Sequence, residues 1–391
     1  MPDPDRTSTS APSASAPSAS ALSASTLSAD RLRQARDLTA QAGLDALLVS
    51  PGADLQYLTG YHAAPLERLT CLVLPALGEP FLLVPALEEP VAQASPAAGL
   101  GLEIVSWQET QDPYAIAAER LPARAGVGVD NRMWAEKVIA FQAALPGGRQ
   151  TLAGPVLSEL RMRKSPAEIA ALRAAGAAID RVHARMAEWL RVGRTEREVG
   201  RDIAAAIIAE GHVKVDFVIV GSGPNGASPH HELSDRVLEA GDPVVVDIGG
   251  TTAAGYCSDS TRCYALGEPP AEFRRLYEVL LRAQRAQTEA VRPGITAEEL
   301  DAVGREIITE AGFGPRFLHR TGHGIGLETH EEPYIVAGSA RPLEPGMAFS
   351  VEPGIYLAGR YGARIEDIVV CTPEGGERLN LTERELTVLP G

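Results

Sequence analysis

The sequence predicts two folded domains: an α/β domain over residues 30–155 and an α+β domain over residues 156–391 built on an internal pseudo-twofold repeat. Three observations carry this. The 391 residues are 45% hydrophobic, enough for two cores at roughly 100 to 200 residues per domain. Short apolar runs alternate with helical patterns up to Pro155, and at Ser165 a long capped helix begins. A second capped-helix pattern then occurs twice, from Arg191 and again from Arg292.

Residues 1–29 are a Ser/Ala/Pro repeat with too few large apolar groups to offset chain entropy, and are expected to be disordered. Asp3 and Asp5 beside a lone Arg6, with isolated leucines, do not make a secretory or transit signal. From Ala29 on, LDALLVS, CLVLPAL, PFLLVP, LEIVSW and AGVGVD have strand length, and RLRQARDLTAQAG, DPYAIAAERL and AEKVIAFQAAL have helical spacing. Gly78 and Glu79 mark a hairpin between the second and third runs. The boundary is expected near Gly154 and Pro155.

In the second domain Ser165 and Glu168 form a capping box with Pro166 at the first helical position. RVGRTEREVGRDIAAAIIAEGH aligns with RPGITAEELDAVGREIITEAGF, so that Gly193, Thr195, Glu198 and Gly211 fall on Gly294, Thr296, Glu299 and Gly312. Each copy is a helix opened by Thr with Glu three residues on and closed by Gly. Two such halves facing each other would leave a cleft between them.

The net charge of −15 and pI near 5.1 disfavour nucleic acid and anionic membranes as partners. No apolar stretch reaches the ~20 residues of a membrane span. Cys71, Cys257, Cys263 and Cys371 form neither a CxxC pair nor a disulfide framework, which fits reduced thiols in a cytoplasmic protein.

FVIVGSGPNGASPHHE matches a dinucleotide fingerprint at Gly221, Gly223 and Gly226, with Asp247 as the apparent ribose acceptor. Such a turn must lead straight into a helix, and Pro224 and Pro229 obstruct one. The match is read as accidental, the glycines shaping a loop that carries His230.

Five of the eight histidines, His230, His231, His319, His323 and His330, lie between positions 230 and 330. Asp247 ends the run VVVD and Asp259 follows in GYCSDSTRCY. A strand, a bend over Thr251–Ala254 and a returning strand would set the two carboxylates side by side, where they repel unless a positive charge intervenes. Alternatively one or both face solvent near a turn. Glu352 in FSVEPGIY and Glu366 in ARIEDIVV interrupt strand-like runs, where an unpaired charge is expensive. Arg364 could pair with Glu366, which would leave Asp247, Asp259 and Glu352 unexplained. Four carboxylates and one imidazole suit two divalent cations, which can share a hydroxide and polarise a carbonyl.

DIGG, GYCSDSTR, HRTGHGIGLETHE, SVEPGIY and RIED together resemble the Xaa-Pro peptidases (prolidase and aminopeptidase P) of the creatinase/prolidase/methionine aminopeptidase superfamily, over residues from about 30 to the end. The resemblance implies a pita-bread catalytic domain behind a creatinase/prolidase-like first domain that walls the cleft, commonly in a homodimer. It implies Asp247 on one metal ion, His323 and Glu352 on the other, and Asp259 and Glu366 bridging. Manganese is the expected metal, with cobalt, iron or zinc as alternatives. His230 and His330 match the substrate-facing histidines, and Glu352 the proton carrier. Substrates would be short proline-containing peptides cut between an N-terminal residue and proline, with dipeptides slightly favoured over the longer peptides of aminopeptidase P.

A metal-free creatinase-like hydrolase and a non-catalytic peptide-binding relative are the competing classes, and the intact ligand set argues against both. A methionine aminopeptidase is disfavoured by the preceding α/β domain. Two departures stand out. The turn between the aspartates is one residue longer than in many members, and Tyr334 stands where many dipeptide-cleaving members have an arginine for the substrate carboxylate. Tyr356, Arg360 and Arg364, close to Glu352, are the expected substitutes.

Overall fold

The computed structural model describes residues 19–391, and the chain divides into two compact units at the Leu157–Ser158 boundary. Residues 1–18, most of the segment expected to be disordered, lie outside the described residues. Its remainder is corrected: helix α1 runs Ala19–Gln41, and Ser28 is already buried. Alanine is the best helix former and no proline occurs between Pro17 and Pro51, so the composition read as chain entropy is also compatible with a helix that gains burial at its C-terminal end.

The first unit continues with β1 (Ala46–Val49), α2 (Ala53–Thr59), β2 (Cys71–Pro75), β3 (Phe81–Pro85), α3 (Glu89–Ala94), β4 (Glu103–Trp107), α4 (Pro113–Ala118), β5 (Val127–Val129), α5 (Ala135–Ala144) and β6 (Gln150–Leu152). The sheet order is β4-β3-β2-β1-β5-β6. β2 and β3 form the expected antiparallel hairpin, with Gly78 at φ +111° in its turn, and β5 and β6 add parallel to β1. The five sequence runs read as strands are strands. They are buried on both faces except β4, and Leu48, Val73, Phe81, Val127 and Phe141 join one core.

Helix α6 (Gly154–Met162) leads into the second unit: α7 (Pro166–His183), α8 (Met186–Trp189), α9 (Glu196–Ala209), β7 (His212–Ser222), β8 (Pro243–Thr252), β9 (Cys257–Leu266), α10 (Ala271–Ala290) and α11 (Ala297–Glu310). Short strands follow: β10 (Gly322–Gly324), β11 (Glu331–Ile335), β12 (Ala348–Val351), β13 (Gly354–Leu357), β14 (Tyr361–Arg364), β15 (Asp367–Thr372), β16 (Gly375–Arg378) and β17 (Thr387–Leu389). They make three sheets, β17-β9-β8-β7, β11-β10-β12-β15-β16 and β13-β14.

All three capping boxes form, at Ser165/Glu168, Thr195/Glu198 and Thr296/Glu299. The repeat extends to the backbone around the capped helices. Gly193 N–H donates to Leu238 and Gly294 N–H to Leu343, and Glu196 N–H donates to Arg236 as Ala297 N–H does to Arg341. Each half buries its helices against its own strands, Ile179, Ile203, Val220 and Val246 in the first, Leu300, Met347, Phe349 and Val369 in the second.

Candidate metal centre

β8 and β9 pair antiparallel with Gly249 opposite Asp259 and Asp247 opposite Thr261. Side chains alternate across a sheet, so Asp247 and Asp259 share a face as diagonal neighbours. Thr251 and Thr252 belong to β8, and the bend is residues 253–256, with Gly255 at φ +84°; the expected bend over Thr251–Ala254 lies too early.

His323 is the middle residue of β10, pressed between β11 and β12. A Cβ on Gly322 would lie 1.8 Å from the Ser350 carbonyl oxygen, and one on Gly324 2.2 Å from that of Glu332, so glycine on both sides lets the imidazole strand fit. Glu352 and Glu366 sit at a joint: the β12–β15 ladder ends at Val351 opposite Asp367, and the β13–β14 ladder begins at Gly354 opposite Arg364. A break in two facing ladders turns both glutamates out of strand alternation and toward the same point.

His323 Nδ1 donates to the Gly324 carbonyl at 3.1 Å, which leaves the lone pair on Nε2. Nε2 faces Glu352 Oε1 at 3.2 Å and Asp259 Oδ2 at 3.7 Å. Ligand atoms of Asp259, His323 and Glu366 all lie within 4.8 Å of one another. Glu366 accepts from Thr261 Oγ1 at 2.8 Å, and Glu352 from Ser350 Oγ at 3.1 Å. Asp247 Oδ2 accepts from Arg364, while its buried Oδ1 has no hydrogen-bond partner among the described residues.

Burial, then the negative neighbours, push Asp259 and Glu366 well above the usual carboxylate range. Burial acts the same way on Glu352, but a protonated His323, through its hydrogen bond and charge, outweighs it and brings it down to about 2. A lone pair facing two acceptors, an orphaned carboxylate oxygen and carboxylates that cannot all ionise together fit a site for divalent cations.

These groups line a cavity of about 1140 Å³ whose apolar wall includes Phe217, Ile219, Leu233 and Leu318. His230 and His330 both open on it. The His330 ring meets that of His323 edge-on at 3.9 Å, and burial followed by the charge of His323 lowers its pKa to about 4, so it is neutral at neutral pH. Four carboxylates, His323, His230 and His330 are thus brought together.

The expected substrate contacts are not. Arg360 lies outside the cavity, paired with Glu272 on α10 and lying over Tyr361. The turn between β13 and β14 carries it away from Glu352, a direction that closeness in sequence does not fix. Tyr356 is buried and absent from the cavity wall, its hydroxyl accepting from Arg364 at 2.8 Å and donating to His319 Nε2 at 2.9 Å. Arg364 reaches the wall but is 3% exposed, with its donors taken by Asp247, Thr261, Tyr356 and the Pro229 carbonyl. It pairs with Asp247, not Glu366.

Two supporting groups were not legible in the sequence. Glu196, the first residue of α9 and fully buried, accepts from Ser222, Asn225, His231 and Ser234 around the loop that carries His230. Glu331, next to His330, is clamped by Lys164 at 2.6 Å and by Arg161. The accidental glycine fingerprint opens into a single 3-10 turn, Gly223–Ala227, and a Cβ on Gly362 of β14 would lie 2.2 Å from the Gly226 carbonyl oxygen. These glycines let two backbones touch.

Residues 170–373 match Metallopeptidase family M24, and residues 31–163 match the Creatinase/Prolidase N-terminal domain. The chain is 55% identical over 361 residues to a probable dipeptidase PepE of Mycobacterium tuberculosis, covering 92% of this chain and 96% of the relative. It is 39% identical over 359 residues to an Xaa-Pro dipeptidase of Lactobacillus delbrueckii subsp. lactis, covering 89% and 96%. The crystal structure of dipeptidase PepE from Mycobacterium ulcerans superposes with a TM-score of 0.91 at 53% identity, covering 94% of this chain and 99% of that one. The α/β first domain and the pita-bread second domain are those of these proteins, and the chain belongs to metallopeptidase family M24.

Proposed function

We propose that this protein is a dinuclear metal-dependent dipeptidase that hydrolyses the bond between an N-terminal residue and proline. The observation that supports it best is the convergence of Asp247, Asp259, His323, Glu352 and Glu366 on one side of a cavity that also presents His230 and His330. Asp247 would hold one cation, His323 and Glu352 the other, with Asp259 and Glu366 shared between them. Bound there, two divalent cations supply Lewis acidity toward the scissile carbonyl and acidify a water. Manganese is the expected metal.

Hydrolysis adds hydroxide to the carbonyl carbon and a proton to the proline nitrogen as the C–N bond breaks. Glu352 accepts the proton of the water and returns it to the leaving nitrogen. Neutral His330 donates an N–H to the carbonyl oxygen as negative charge develops on it, and needs no proton of its own from solvent to do so. His230 orients the peptide from the opposite loop. The apolar wall of Phe217, Ile219 and Leu233 suits a proline ring, which has no amide hydrogen to satisfy.

The name of the Lactobacillus relative supports the substrate class. A homodimer and a cytoplasmic location complete the reading. Assay of the manganese-loaded protein against Ala-Pro, Ala-Ala and Gly-Pro-Ala tests it: hydrolysis of Ala-Pro well above the other two is expected, and a preference for Ala-Ala would overturn the proline assignment.

A further inference from the structure

Three arginines line the cavity, Arg197, Arg320 and Arg364. Arg197 pairs with Asp235 at 2.8 Å on the surface, and Arg364 is buried against Asp247. Of these three, only Arg320 meets no carboxylate among the described residues. Its guanidinium lies over the Tyr334 ring, 4.2 Å from the centroid, half-buried.

Ring stacking uses the face of the guanidinium and leaves its N–H edge free, so the donors are held in one plane. The backbone is fixed as well. The Arg320 carbonyl accepts from His319 Nδ1 at 2.8 Å, and the next residue, Thr321, donates to Ile335 and is held by Asp301. Arg320 lines the same cavity as His323 and His330. A half-desolvated, oriented cation without a partner beside the substrate-facing histidine calls for an anion on the substrate.

We infer that Arg320, held on Tyr334, binds the C-terminal carboxylate of the substrate and so makes the enzyme selective for free dipeptides. The proposal rests on the dipeptidase reading above and names the residue that sets substrate length. Tyr334, where an arginine was expected, then contributes the platform for a cation delivered from the neighbouring chain segment. The alternative source of a carboxylate is an acidic N-terminal residue, but every dipeptide carries a terminal one.

The test compares kcat/KM on Ala-Pro, its C-terminal amide and Ala-Pro-Ala, with Asp-Pro amide as the side-chain control, for the manganese-loaded wild type, Arg320→Ala and Arg320→Lys. The wild type is expected to prefer the free dipeptide. Arg320→Ala should lower kcat/KM on it roughly 10- to 100-fold, chiefly through KM, as loss of a charged hydrogen bond does. The amide should lose far less, so the ratio collapses, and Lys should restore part of it. Equal losses on acid and amide, a wild type that cleaves the amide or tripeptide as well as the dipeptide, or a preference for Asp-Pro amide that disappears in Arg320→Ala would overturn the proposal. If Ala-Pro is resistant and Ala-Ala is cut, the proline reading fails, and the acid-to-amide ratio on Ala-Ala still decides the role of Arg320.

Discussion

Arg364 donates to Oδ2 of Asp247, whereas Oδ1 of the same carboxylate is buried with no hydrogen-bond partner among the described residues. One oxygen is fixed by a cation of the protein, and the other is left for a second positive charge. Tyr356 and Thr261 hold the far side of Arg364, so the direction of the Asp247 carboxylate is set from outside the cavity.

The purified protein is accordingly expected to carry up to two divalent ions per chain. Asp259→Asn, at the position proposed to be shared between them, should abolish activity and reduce the bound metal measured by elemental analysis. Chelation should inactivate the wild type reversibly and lower its melting temperature, since burial and mutual repulsion already oppose ionisation of Asp259 and Glu366. Full activity in a chelated, metal-free sample would refute the assignment.

His323 and His330 touch edge-on yet have different proposed duties. His323→Ala should lose metal together with activity. His330→Ala should keep near-normal metal content while kcat falls roughly 100-fold or more, the usual scale for an oxyanion donor. Equal loss of metal in both variants would show the two roles to be misassigned.

A third expectation concerns pH and stability. His183 is buried behind the sheet, Nε2 donating to the Ser260 carbonyl at 3.3 Å and Nδ1 accepting from Tyr264 at 2.9 Å. Burial, with the charge of Arg262, lowers its pKa to about 3. The unfolded chain takes up this proton near pH 6.5 and the folded protein does not, so stability is full above that pH and declines as pH falls toward the folded value. His183→Gln keeps a donor and an acceptor without a titrating ring. Between pH 7.5 and 5 it should lose about 2 kcal/mol less than the wild type in urea unfolding of the metal-loaded protein, because each pH unit below about 6.5, down to the folded value, is worth about 1.4 kcal/mol. Parallel pH profiles would mean that His183 titrates normally.

The strands and capped helices were legible because each rests on local chemistry: apolar runs for β1 to β5, and Ser165, Thr195 and Thr296 with a glutamate three residues on. The carboxylates were legible because charges inside apolar runs demand a partner. What escaped depends on direction. Arg360 stands eight residues from Glu352 and points to Glu272, whereas Arg320, inside the histidine motif, faces the cavity. Sequence distance carries no information about which side of a turn a side chain leaves from. Glu196 reads as an ordinary acid in the first turn of a helix, and only the return of the chain at Ser222 and Ser234 gives it a second task.

That task yields the last prediction. Glu196 accepts from the backbone and hydroxyl of Ser222 at 2.8 and 2.7 Å, from Asn225 at 3.0 Å, from His231 Nε2 at 2.7 Å, and from Ser234. Burial raises its pKa, but these donors outweigh that and hold it below the usual range, so the carboxylate is ionised at neutral pH. One carboxylate therefore ties both ends of the loop carrying His230. A glutamine there would aim an N–H₂ group at donors and leave several unpaired. Glu196→Gln should lower kcat roughly 10-fold or more with metal content unchanged, through a displaced His230. In a His230→Ala background the same change should cost little further activity, because the group it positions is already gone. Additive losses in the double variant, or loss of bound metal in Glu196→Gln alone, would assign Glu196 to the general stability of the domain and not to the histidine loop.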